Sequence, residues 1–184
     1  DQADQLATKV DTTYDNYNVD KIYLDAYVQS YSSGGQRYPD VKTALLRRIG
    51  RGALTINWTG HGGELGWAHE RIFETPDIIA LDNWNNLPIF ITATCEFSRF
   101  DDPERTAAGE YALLNPRGGG IALLSTTRLA FANENFNLNK NFFNAVFKDI
   151  NGDFPRLGDV SRLTKVASGV SQNIRNFHLL GDPA

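Results

Sequence analysis

The sequence predicts an α/β domain with a mostly parallel sheet and helices on both faces. Short apolar or β-branched runs alternate along the chain with longer amphipathic segments, the order expected of βα units. Two of the runs, "LPIFITAT" (87–94) and "GGGIALLST" (118–126), are apolar or β-branched through most of their length. That is the pattern of central strands covered on both faces. With 184 residues, 41% of them hydrophobic, the chain is long enough for one full core.

Taken in order, "DQADQLATKVDTTY" reads as an opening helix with Ala3, Leu6 and Val10 near one face. In "KIYLDAYV" (21–28), Ile22, Leu24, Ala26 and Val28 alternate with Lys21, Tyr23, Asp25 and Tyr27, which predicts a strand. "SYSSGGQRYP" is a flexible loop by composition. Asp40 then caps a helix carrying Val41, Ala44, Leu45 and Ile49 on one face and ending at Gly50. "ALTINWT" (53–59) is the next strand, and 60–86 is mostly loop with a short helix near Asp77–Leu81. After the strand at 87–94, "RTAAGEYALL" is a helix stopped by Asn115–Pro116. Another strand at 118–126 precedes a helix in "NFNLNKNFFNAVFKDI", where Phe136, Phe143, Val146, Phe147 and Ile150 are spaced for a core face. "LGDVSRLTKVAS" is a further helix, and "NFHLLGDPA" closes the chain.

Several function classes fall away at this level. The formal net charge is −4 and no Lys/Arg stripe occurs, which argues against nucleic acid as a main partner. No apolar run approaches the length of a membrane-spanning helix. The chain has no Met and no secretory leader pattern, so it reads as one domain, residues 1–184, cut from a longer protein. The single Cys excludes an internal disulfide and says nothing about redox compartment. His61, His69, His178 and Cys95 lack zinc-ligand spacing, and "DINGDF" (149–154) lacks the carboxylate pattern of a calcium loop and reads as a turn. Neither a metal nor another cofactor is expected. A Ser–His–Asp hydrolase is disfavoured because no G-x-S-x-G elbow is present.

What remains is a pair. "NWTGHGGELGW" (57–67) places His61 among glycines just beyond a strand, and "FITATC" ends the following strand in Cys95. Alone, each has a plain reading: a histidine in a turn, a cysteine in a core. In a parallel sheet, however, ligands bind beyond the carboxyl ends of the strands. Were these two strands neighbours, imidazole and thiol would emerge on one edge. An imidazole beside a thiol draws it toward thiolate, the form that attacks a carbonyl. The amides of Gly62 and Cys95 are then candidate oxyanion donors.

A histidine in "TGHGG" after one strand and a cysteine ending the next in "TATC" resemble the gingipain (C25-type) family of cysteine peptidases. That resemblance implies a caspase-like α/β fold. The blocks "NWTGHGGELGWAHERIF", "LPIFITATCEFSRFDDP", "GEYALLNPRGGGIALLSTTR" and "FHLLGDPA" are similar to the members that serve as sortases of the bacterial type IX secretion system. The similarity runs from about Lys21 to Ala184. It implies a peptidase and transpeptidase at the outer-membrane surface that removes the C-terminal signal domain of secreted proteins. The new carboxyl end would be joined to an anionic lipopolysaccharide acceptor, alongside other outer-membrane components of that system.

By the same resemblance Cys95 is the nucleophile and His61 the general base, with Asp25 or Glu64 as the acid that orients the histidine. Thr126, Arg128 and Asn135, after the fourth strand, would line the substrate cleft, and Trp67 would wall it or cover core. Glu96 is expected to point into structure. A caspase-like sheet usually begins with a strand ahead of the opening helix, so this chain is expected to lack one central strand. Two other readings stand beside the leading one. They are a broad secreted gingipain-like protease, marked by an acidic pocket selective for Arg or Lys, and an inactive caspase-like scaffold.

Overall fold

A computed structural model describes residues 2–149 and 152–184. Its centre is a four-stranded sheet formed by β3 (Thr55–Thr59), β7 (Ile89–Ala93), β8 (Ala122–Thr126) and β9 (Phe177–Gly181), in that order. β3, β7 and β8 run parallel, and β9 is antiparallel to β8. The two strands with nearly continuous apolar sequence are the two central ones, and β8 is buried along its whole length. With helices on both sides, neither face of these strands meets water, which is why their sequences do not alternate.

Two apolar clusters sandwich the sheet. On one face α2 (Pro39–Arg51) and α4 (Ala108–Leu114) bring Val41, Leu45, Ile49 and Ala112 against Phe90 and Leu123. On the other, α1 (Gln2–Thr13), α5 (Ala132–Val146) and α6 (Leu157–Ser168) bring Leu6, Val10, Leu138, Phe142 and Val160 against Ile91, Leu124 and Phe177. Neighbouring residues of one strand thus feed opposite cores, the consequence of the two-residue side-chain period.

Several elements differ from the expectation. Residues 21–28 do not form a strand; Leu24–Ala26 is a 3-10 turn. A strand needs a backbone partner, and this segment is held by its side chains instead. Ile22, Leu24 and Tyr27 pack on the first cluster, while Lys21 Nζ and Tyr23 Oη both donate to Asp4 of α1. The loop at 29–38 contains an exposed hairpin, β1 (Ser30–Ser32) with β2 (Gly35–Arg37). Asp40 is not the cap of α2. Tyr38 holds that position, Pro39 follows it at the first helical turn, and Asp40 lies in that turn, where a carboxylate suits the helix dipole. The helix runs past Gly50 to Arg51 and stops at Gly52, whose φ of 95° suits a residue without Cβ. The region 60–86 is more ordered than a loop. It holds a small antiparallel sheet, β4 (Gly62–Gly63), β5 (Gly66–Trp67) and β6 (Phe73–Glu74), then α3 (Thr75–Ile79). α5 begins at Ala132, and its core face is carried by Leu138, Phe142 and Phe143, with Phe136 and Val146 partly buried. Ile150, expected on that face, lies outside the described residues. α7 (Gln172–Asn176) leads directly into β9.

Candidate active site

The ladder between β3 and β7 ends with Thr59 opposite Ala93. His61 and Cys95 each lie two residues further along. Parallel register therefore delivers both residues to the same edge of the sheet, at the same level, on adjacent strands. This is the carboxyl edge, where α/β sheets place their chemistry.

Beyond the ladder, local contacts shape both loops. The carbonyl of His61 accepts two bonds, from Trp58 Nε1 at 3.0 Å and from the Ala68 amide at 2.9 Å. The Trp58 ring lies flat on that of Trp67, centroids 5.4 Å apart, so the anchor is itself fixed in the core. A Cβ on Gly60 would sit 2.7 Å from the Trp58 ring. A Cβ on Gly62 would sit 2.5 Å from Thr94 Oγ1. The glycines beside His61 therefore let its loop lie flat against Trp58 on one side and Thr94 on the other. Thr94 immediately precedes Cys95, so the two loops are in contact one residue away from each catalytic candidate.

Cys95 is half-buried. Its Sγ lies 3.4 Å from the amide nitrogen of Ala130, which donates to it, and 3.8 Å from the Ala130 carbonyl. Ala130 belongs to the loop after β8, so a third strand end closes on the thiol. The residue after Cys95, Glu96, has φ of 50°, an uncommon conformation for a residue with a side chain. The Glu96 amide donates to the Arg128 carbonyl and the Ser98 amide to the Thr126 carbonyl, pinning this sharp exit to β8. Thr94 O accepts from Thr126 Oγ1 at 2.5 Å. His61 is exposed, and its ring centroid lies 5.5 Å from that of His69.

Other expected site residues fall into place unevenly. Thr126 is fully buried and spends its hydroxyl on Thr94, so it braces the strand of Cys95 and does not line a cleft. Asn135 is 6% exposed and its Oδ1 accepts from Asn173, a link between α5 and α7. Trp67, 1% exposed, is core: it packs on Trp58, Phe73, Phe90 and Phe97. An apolar ring next to a glycine-rich turn is buried because the turn folds over it. Arg128 is exposed at the edge and paired through two nitrogens with Asp101. That guanidinium holds the Asp101 carboxyl down at about 2. Glu96 leans toward Arg99 at 3.7 Å. Glu64 gives both carboxylate oxygens to arginines, Oε1 to Arg99 at 2.7 Å and Oε2 to Arg105 at 2.9 Å. Asp25, exposed on the 3-10 turn, lines the same cavity as His61 and Glu70. That cavity, of about 800 Å³, runs along β3 between residues 54–60 and residues 19–25. Among the described residues no strand pairs with this side of β3. Trp58, Ala130, Arg99 and Arg105 were not legible as site residues. Each acts through a contact that only the folded chain creates.

His178 sits on β9 opposite Ser125, with the Phe100 ring edge-on at 5.5 Å. Burial, reinforced by Lys165 and Arg128 against an opposing Asp101, holds its pKa below the ordinary value. The neutral imidazole is therefore the form the fold prefers. Stability from this group is present above the unfolded pKa of about 6.5 and is lost as pH falls through the lower folded value. His178→Gln is expected to flatten the decline in melting temperature as pH falls below about 6.5. Parallel declines in both proteins would remove His178 as its cause.

The model of peptidase family C25 matches residues 1–184, the whole chain. The chain belongs to peptidase family C25. This is a family of cysteine peptidases, and the present chain carries one cysteine, Cys95. Solved structures agree on the fold. A complex of the pro- and mature domains of Porphyromonas gingivalis RgpB superposes with a TM-score of 0.68 at 19% identity, over 77% of this chain and 36% of that one. The Arg-specific cysteine proteinase gingipain R (RgpB) gives 0.68 at 18% identity, over 77% and 35%. The C25 chain thus spans about a third of the length of these structures, and at such identity the likeness concerns the fold alone. No curated protein matches in direct sequence comparison.

Proposed function

We propose that this C25 chain is the catalytic portion of a cysteine peptidase that also acts as a transpeptidase, with Cys95 as nucleophile and His61 as general base. The observation that carries this reading is the register of β3 and β7, which brings the two loops out side by side. Cys95 attacks the scissile carbonyl. The oxyanion takes donors from the Gly62 and Cys95 amides, and His61 passes the proton to the leaving amine. An acyl-enzyme remains, to be resolved by water or by an amine. Asp25, in the cavity that His61 also lines, is the candidate to orient the imidazole, because Glu64 is committed to two arginines.

The substrate we infer is a secreted protein bearing a C-terminal signal domain, and the acceptor an anionic lipopolysaccharide. The setting is the outer-membrane surface among other type IX secretion components, as for PorU, the sortase of that system. The sequence blocks around His61, Cys95 and β8 support this. Three carboxylates on the loops around Cys95, Glu64, Glu96 and Asp101, lie against arginines, so these three are not free to select an Arg or Lys side chain.

Incubating the full-length protein with cargo and lipopolysaccharide tests this. The expected product is cargo cleaved at its C-terminal signal and linked to the glycolipid. Release of free carboxylate only, with the acceptor in excess, would point to a hydrolase. No cleavage by folded protein would favour the inactive scaffold.

A further inference from the structure

The backbone ladder that aligns the two catalytic loops stops at Thr59 and Ala93, before either His61 or Cys95. Something else must hold the loops together beyond it. Glu64 is three residues after His61, at the turn between β4 and β5. Arg99 is four residues after Cys95. The Glu64 side chain is only 11% exposed, and each of its oxygens accepts from a different guanidinium, Arg99 on the cysteine loop and Arg105 on the segment leading to α4. Its backbone carbonyl also accepts from the Ala108 amide, at 2.7 Å, in the first turn of α4. The histidine hairpin is thus fastened to the segment 99–108 through one residue.

We propose that Glu64 is a positioning residue that sets the separation of His61 and Cys95 through Arg99 and Arg105. The inference rests on the reading of Cys95 and His61 as the reacting pair. A carboxylate suits the task because charge-assisted bonds to two guanidiniums fix both distance and direction, which apolar packing does not. Little water competes at an 11% exposed carboxylate, and removing it takes the shared partner from both guanidiniums.

The test is alkylation of Cys95 by iodoacetamide in the full-length protein, followed across pH by mass of the Cys95 peptide. Charge and position predict opposite signs for Glu64→Gln. Loss of one negative charge beside Arg99 and Arg105 would by itself favour thiolate and speed alkylation at neutral pH. Loss of the fastening separates His61 from the thiol, moves the midpoint up toward the free-cysteine value of about 8.5, and slows alkylation at pH 7 by about tenfold. The slowing is the expected result, with Glu64→Asp recovering a large part of it. An unchanged or faster rate in Glu64→Gln, or no recovery in Glu64→Asp, overturns the proposal. If Glu64→Gln does not fold, Arg99→Lys carries the test: it keeps the charge, loses the planar fork, and is expected to slow alkylation likewise, an unchanged rate overturning the proposal. A wild-type midpoint already near 8.5 would instead refute the Cys95–His61 pairing, and this proposal with it.

Discussion

Replacing Cys95 with alanine in the full-length protein is expected to abolish cargo processing, lowering kcat/KM by about 10⁴-fold or more, as loss of a covalent nucleophile does. No other thiol exists in these 184 residues to substitute for it. The structure also makes the variant a clean one. Cys95 is only half-buried, and its Sγ touches the backbone of Ala130, so truncation removes few contacts. The melting curve should remain within about 1 kcal/mol of wild type. Cargo assays and thermal melts run on the same preparation check both halves. Undiminished processing would remove Cys95 from the mechanism, whereas loss of activity together with loss of fold would show that the thiol serves packing.

Gly62→Ala should produce the second large effect while removing no hydrogen-bonding group, since the Gly62 amide is kept and only its position, with that of His61, changes. The new Cβ would lie 2.5 Å from Thr94 Oγ1, 3.0 Å from Thr94 Cγ2 and 3.1 Å from the carbonyl of Gly66. Thr94 is 1% exposed and cannot swing into solvent. The strain is relieved only if the hairpin lifts off the cysteine loop, and His61 travels with it. A displacement of about 1 Å in a reacting group costs about a hundredfold in rate. Gly63→Ala is the control, since nothing lies within 4 Å of a Cβ there. The two alanine variants should separate by about two orders of magnitude in kcat/KM while melting within a few degrees of each other. Equal activities would mean that the close approach of Gly62 to Thr94 is not what holds His61 in place.

These two residues mark how far the sequence could be read. "TGHGG" and "TATC" stand at the ends of strand-like runs, and the periodicity of those runs needs no partner to be seen. Burial on both faces is written into an unbroken apolar run, so the central places of β7 and β8 were legible as well. The strand expected at 21–28 shows the limit. Its alternation was real, and Ile22 and Leu24 do pack on the core. Alternation reports which side chains are buried, however, and a strand also requires a neighbouring backbone.

Residue chemistry by itself determined the α/β class and the helices at both faces, and it singled out His61 and Cys95 as the candidate pair. Tertiary structure decided what each polar candidate does. Thr126, Asn135 and Glu64 look alike in sequence, as polar residues near loops that flank the site. In the fold Thr126 braces the strand of Cys95, Asn135 joins two helices, and Glu64 ties the two loops together. The physical reason is that a polar side chain has no fixed role until its hydrogen-bond partner is chosen. That partner commonly comes from tens of residues away: 32 for Thr126 with Thr94, 35 for Glu64 with Arg99.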